Sequence, residues 1–186
     1  MTSVPERPMR ADAQRNYDRI LAAAEVAFAR DGAEASLEEI ARQAGVGSAT
    51  LHRHFPARRA LLEAVFRDRV QGLCARAEVL AGTLEPGAAL VSWLQDFAAL
   101  ATANRGLAAS VLPAVGDRVG WHAMISEAGG ELLRRAQRAG AVRNEVGLGD
   151  LLTLVSAISL LTEQAPDGAA TASRLLTLAL DGIHPR

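Results

Sequence analysis

Arg42, Arg53, Arg58 and Arg59 stand between Ile40 and Leu62 together with His52 and His54, and no Asp or Glu interrupts them; the nearest carboxylates, Glu39 and Glu63, lie just outside. A basic stretch without carboxylates suits a surface that meets an anion, because a misplaced acid repels phosphate. Every strong cation in the chain is arginine, since all 20 basic residues are Arg and none is Lys. Each can therefore fork onto a phosphate or a guanine edge. The same residues support little other chemistry. His52 and His54 are two apart, so on a helix they point in different directions, and no Cys or carboxylate joins them as a metal ligand. Cys74 is the lone thiol, with no evident histidine partner, and reads as a small buried hydrophobe before it reads as a redox sensor. No nucleophile with its base, paired carboxylates or His pair at i,i+4 with a Glu supports an enzyme, and no cofactor is expected.

The elements that must hold these residues are helical. Alanine and leucine dominate, β-branched and aromatic residues are few, and the hydrophobic fraction of 49% is enough for a core. A net charge of −1 argues against a nucleic-acid binder only until its distribution is considered. The polar first dozen residues contain no signal-like apolar run, and no stretch reaches the roughly 18 apolar residues of a membrane span. The lone cysteine fits a reducing compartment. A cytoplasmic protein without membrane contact is expected.

Residues 1–12 read as a flexible arm. Ile20, Leu21, Ala24, Ala27 and Phe28 recur at helical spacing over Ala13–Arg30, ending at Asp31-Gly32. Ser36 and Glu39 form a capping box that opens a short helix over Leu37–Ala44, and Gly45-Val46-Gly47 breaks it. A second short helix covers Ser48–Phe55, with Leu51 and Phe55 turned inward at i,i+4. Ser48, Ala49, His52 and Arg53 then share the outward face, with Thr50 and His54 at its margins. Pro56 separates this helix from a long one running to about Leu80. Further helices are expected at Gly87–Ala103, Val119–Ala139, Asp150–Glu163 and Ala169–Leu180, with breaks at Gly82–Pro86, Pro113–Arg118, Gly140–Gly149 and Pro166–Gly168. The fold class is all-α, with about nine helices and no internal repeat.

Two short helices joined by a glycine turn describe a helix-turn-helix, which by geometry alone is equally two core helices. The sequence itself is more specific. SLEEIARQAGVGSATLHRHFPARRALLEAV (Ser36–Val65) resembles the DNA-binding region of the TetR family of transcriptional regulators, and the likeness extends over residues 14–72. Ala44-Gly45-Val46 matches at the turn, Thr50-Leu51 within the recognition helix, His54-Phe55-Pro56 after it and Ala60-Leu61-Leu62 at the next helix. The resemblance implies a DNA-binding domain over 13–72 and a ligand-binding and dimerisation domain over 73–186. It also implies that the second short helix enters the major groove, that Thr50, His52 and His54 occupy phosphate- or groove-contacting positions, and that Arg58 replaces the usual phosphate-binding lysine. Gly47, Ala49 and His52 depart from the family's usual polar cap, glycine and tyrosine, which bears on the operator sequence and not on the fold.

The C-terminal part carries two expectations. Asp150–Glu163 has no charge between its ends, and a helix apolar on nearly all faces must be buried on nearly all faces. Leu151, Leu154, Val155, Ile158 and Leu161, with Leu175 and Leu178 of the last helix, are candidates for a homodimer interface like the family's four-helix bundle; a central position in one chain is the other solution. Trp93, Phe97, Trp121, His122 and Met124 are candidates to line a pocket for an unknown small-molecule effector, although such residues also serve as plain core. The expected partners are a double-stranded DNA operator, a second copy and that effector, and the family's habit is repression. Rival readings are an adaptor whose helix-turn-helix binds protein, and a small helical enzyme.

Overall fold

The computed structural model describes residues 7–103, 118–162 and 167–182, and among these it is all-α. Eight α-helices run in the order α1 (Arg7–Asp31), α2 (Leu37–Gln43), α3 (Ser48–His54), α4 (Arg58–Thr83), α5 (Pro86–Ala103), α6 (Arg118–Arg138), α7 (Leu148–Thr162) and α8 (Gly168–Asp181). A 3-10 turn, Gly32–Glu34, joins α1 to α2, so the described residues hold eight α-helices and this turn, where about nine helices are expected over the whole chain. Helical backbone begins at Arg7, inside the stretch read as an arm. The expected break at Pro113 and the residues Glu163 and Pro166 lie outside the described residues, as does the side chain of Leu180.

The chain divides into two compact units, and the division falls within α4, between Arg67 and Asp68. In the first unit, Ile20, Ala24, Ala27 and Phe28 of α1 are buried at the spacing of one helical stripe. Ile40 and Ala41 of α2, Leu51 of α3, and Leu61, Leu62 and Val65 of α4 are buried in the same unit. Gly32 ends α1 with φ 72°, a left-handed conformation that only glycine adopts without strain. Ser36 caps α2 by accepting from the Glu39 N–H at 3.3 Å. The Glu39 carboxylate accepts from Arg42 and Gln43, so the reciprocal arm of a capping box is spent on the helix's own exposed face.

In the second unit α5 packs against α6, α7 and α8. Pro86 occupies the first position of α5, where its missing N–H costs nothing. The core gathers Leu73, Ala77 and Leu80 from α4, Leu90, Trp93 and Leu94 from α5, Leu132, Leu133 and Ala136 from α6, Leu151 and Val155 from α7, and Leu176 from α8. Trp93 is wholly buried, and its indole N–H donates to the Leu73 carbonyl at 3.1 Å, which satisfies its one polar atom. A Cβ at Gly129 would lie 2.4 Å from the Trp93 ring, so α6 approaches the indole only because glycine stands there. Arg135 donates to the Ala81 carbonyl at 2.8 Å, covering an acceptor that the end of α4 leaves open. Among the described residues no helix is long and apolar enough to cross a membrane.

Candidate nucleic-acid interface

The turn before α3 is built by a glycine. Gly45 has φ 64°, the Val46 N–H donates to the Ala41 carbonyl at 3.0 Å and the Gly45 N–H to the Arg42 carbonyl at 3.1 Å. This double bond pattern is a Schellman motif, which closes α2 and sends the chain directly into α3. Gly47 caps α3 with backbone only; its carbonyl accepts from Thr50 and Leu51 at 2.9 and 3.1 Å, and no side chain covers the first turn. Leu51 and Phe55 are buried and fix the helix's rotation. With them inward, Ser48, Ala49, His52 and Arg53 are exposed, and Thr50 and His54 are half-buried, the division that the spacing predicts.

Tyr17 of α1 supports the far end of α3. Its ring lies 6.2 Å from His54, edge to face, and 5.2 Å from Phe55. His54 is therefore held on one side by its own domain, and only its other edge can meet a ligand. Tyr17 lies outside the basic stretch and the short-helix motif that mark this site in the sequence. Its signal was there, three residues before Ile20 on the buried stripe of α1.

The four arginines of the basic stretch have different fates. Arg42 pairs with Glu39 at 2.6 Å and Arg59 with Glu63 at 2.7 Å, so the carboxylates flanking the stretch fold back onto it. The Arg42 and Gln43 hydrogen bonds hold Glu39 below the usual carboxylate range. Arg58, expected on phosphate, instead turns inward: its Nη1 donates to the Ala33 carbonyl at 2.9 Å and also to the Ala35 carbonyl. It is half-buried and joins the start of α4 to the connection between α1 and α2. Arg53 is exposed, and among the described residues it has no ion-pair partner. Its guanidinium therefore stands free of any carboxylate, beside His52 on the outward face of α3. Glu38 stands where its field reaches His52 and Arg58; its own backbone N–H and the Ser36 hydroxyl hold it below the usual carboxylate range.

The remaining candidates separate. Trp93 and Trp121 are buried core residues and line neither of two cavities in the second unit. Met124 lines a cavity of about 550 Å³ between α4 and α6, with Cys74, Glu78, Glu127 and Glu131 in its wall. Burial pushes the Cys74 thiol up, and the charges of Glu127 and Glu78 add to the effect. Phe97 and His122 line a groove of about 450 Å³ with Ile125 and with residues of α7. The interface candidates divide as well. Leu151 and Val155 are 2% and 1% exposed because they face their own chain's core, which removes them from any surface. Leu154, Leu161, Leu175 and Leu178 face outward, Leu161 at 82% exposure, and Ile158 is half-buried.

Comparison with known proteins agrees with this geometry. Residues 20–65 match the family model described as bacterial regulatory proteins, tetR family, and residues 85–185 match that of the transcriptional regulator SbtR-like C-terminal domain. A TetR transcriptional regulator from Streptomyces coelicolor is 41% identical with a TM-score of 0.79, over 90% of this chain and 98% of that one. A TetR transcription regulatory protein from Mycobacterium vanbaalenii is 35% identical with a TM-score of 0.77, over 96% and 100%. A TetR-family regulator from Agrobacterium tumefaciens, at 20% identity, TM-score 0.70 and coverage of 93% and 100%, shares the fold. A search of curated proteins finds no significant match.

Proposed function

Because the chain belongs to the TetR family of DNA-binding transcriptional regulators, a family of non-enzymatic proteins, we propose that it is a ligand-responsive repressor that binds an inverted-repeat operator as a homodimer. The observation that carries this reading is the outward face of α3, where Ser48, Ala49, His52 and the unpaired Arg53 stand together beside the half-buried Thr50 and His54. A serine hydroxyl can donate or accept and so tolerates several bases, whereas a histidine donates to a guanine acceptor or to a phosphate. Arg58 acts by positioning, through the turn between α1 and α2.

Dimerisation is supported by the uncovered Leu154, Leu161, Leu175 and Leu178, with Ile158 at their margin. Leucines left in water at this density mark a protein interface. A two-fold pair also fits a helix-turn-helix reader, whose half-sites lie about 34–36 Å apart. A repressor acts by occupying its operator and needs only the reading helix and pairing surface that this chain carries. The cavities of the second unit supply room for an effector. The protein works in the cytoplasm, where its operator lies.

Binding-site selection from randomised duplex DNA, at one stated salt concentration, tests the reading. Wild type should select an inverted repeat. His52→Ala should relax preference at one position of each half-site, and Thr50→Ala should weaken all sites evenly. A single unrepeated half-site would overturn the homodimer, and no selected motif at all would overturn sequence-specific binding by this face.

A further inference from the structure

Three aromatic rings meet at the end of α3, and they come from two separate stretches of the chain. Phe55 is buried just past the helix, where the backbone has left the helical region at φ −132° and ψ 88°. Its N–H donates to the Leu51 carbonyl at 2.8 Å, so its ring and its backbone are both held. The Tyr17 ring lies 5.2 Å from that of Phe55 at an interplanar angle of 31°, and 6.2 Å from that of His54 at 63°. His54 and Phe55 are themselves 6.4 Å apart at 41°. All three separations fall within the roughly 4.5–7 Å over which such rings attract. Ile20, one turn along α1 and wholly buried, anchors the turn that carries Tyr17.

His54 gains more from such a neighbour than His52 does. α3 is seven residues long with His54 as its last residue, and helix ends fray. A hydrogen bond made from a fraying residue must bear the entropy of fixing both backbone and side chain. A ring that already holds the imidazole removes part of that cost before DNA arrives. With Tyr17 and Phe55 against it on the inner side, the half-buried imidazole keeps its other edge at the margin of the face where His52 and Arg53 are exposed. An imidazole carries an N–H donor in either neutral tautomer, and phosphate oxygens are acceptors.

We propose that Tyr17 is a positioning residue for operator binding: from α1, its ring holds the His54 imidazole with its free edge turned to the DNA backbone. The inference rests on the DNA-binding reading above. Backbone contacts fix register and carry no base information, so loss of Tyr17 weakens every site alike and leaves the selected motif unchanged. An aromatic pair is worth about two- to tenfold in an equilibrium constant. A dimer uses two such pairs, so the expected loss of affinity is at least about fivefold, the smaller factor taken twice. His52, mid-helix and exposed, acts independently of Tyr17 and supplies the control.

The test is a set of double-mutant cycles, read as operator affinity at one salt concentration, with denaturant midpoints showing that each variant is folded. Tyr17→Leu should bind at least fivefold more weakly than wild type, and Tyr17→Met serves if Tyr17→Leu does not fold. Tyr17→Phe, which keeps the ring, should restore affinity to within about twofold. Added to His54→Ala, the Tyr17 substitution should cost no more than about twofold, because the group it positions is gone. Added to His52→Ala, it should keep its full fivefold cost. A loss below fivefold in the single variant, or one above twofold in the His54→Ala background, would overturn the positioning role and leave the DNA reader standing. So would a Tyr17→Phe variant as weak as Tyr17→Leu, which would move the effect from the ring to the hydroxyl. A wild-type protein that selects no DNA motif would remove the DNA-binding reading itself, and this inference with it.

Discussion

Arg58 donates from Nη1 to the Ala33 carbonyl at 2.9 Å, so the first residue of α4 holds the turn that leaves α1. A guanidinium used in this way supports the DNA-binding unit from within. Arg58→Ala should therefore lower its stability by about 1.5–3 kcal/mol, the usual worth of hydrogen bonds to a charged group, read as a shift of the denaturant midpoint without a change of slope. Affinity should fall by a similar factor for every DNA sequence, with the salt dependence of binding kept. A reduced salt dependence would return Arg58 to the phosphates.

Arg53 should behave in the opposite way. It is exposed and unneutralised, so Arg53→Ala should leave the denaturant midpoint within about 0.5 kcal/mol of wild type. Releasing one phosphate contact per subunit should lower the salt slope of a dimer by roughly two, at about 0.9 for each. Binding isotherms between low and moderate salt measure it. An unchanged slope combined with an altered site preference would assign Arg53 to base edges.

Two glycines inside helices make a matched pair. Gly129 has the Trp93 ring 2.4 Å from where its Cβ would be, whereas Gly72 of α4 is exposed with nothing within 4 Å. Replacing a helical glycine with alanine gains about 0.8–1 kcal/mol of propensity, and overpacking a core costs about 1–3 kcal/mol. Gly72→Ala should stabilise the protein by the first amount. Gly129→Ala should destabilise it by up to about 2 kcal/mol, the difference between the two. Equal stabilisation in thermal unfolding would mean that the indole moves aside freely.

Cys74 should be a slow thiol. Burial, then the carboxylates of Glu127 and Glu78, raise its pKa, so the thiolate is scarcer at neutral pH than in an unstructured peptide. Alkylation by iodoacetamide should be slower than for a free cysteine between pH 7 and 8, and should rise with pH beyond the ordinary thiol midpoint. Glu78→Gln and Glu127→Gln should each move that midpoint downward. Fast alkylation at neutral pH would contradict the environment described.

The parts of the fold written in local spacing were legible. Ser36, Gly45 and the Leu51–Phe55 pair are each settled by residues within a few positions, and the exposed face of α3 follows once its inner face is known. What the sequence could not supply was decided over longer separations. The acceptors of Arg58 are backbone carbonyls, which carry no signature in residue types. The support of His54 by Tyr17 joins α1 to α3. A helix apolar all round, such as α7, does not declare which face its own chain takes, so Leu151 and Leu154 looked equivalent until packing separated them. The same holds for Trp93, whose place in the core depends on a glycine in a different helix.

Both tryptophans, Trp93 and Trp121, are buried in the second unit, and the chain's one tyrosine, Tyr17, stands in the first against His54 and Phe55. The two units therefore carry separate intrinsic chromophores. Indole emission follows the body, and phenol absorbance follows the support of the recognition helix. Unlabelled protein can thus show whether an event at one end of the chain is felt at the other.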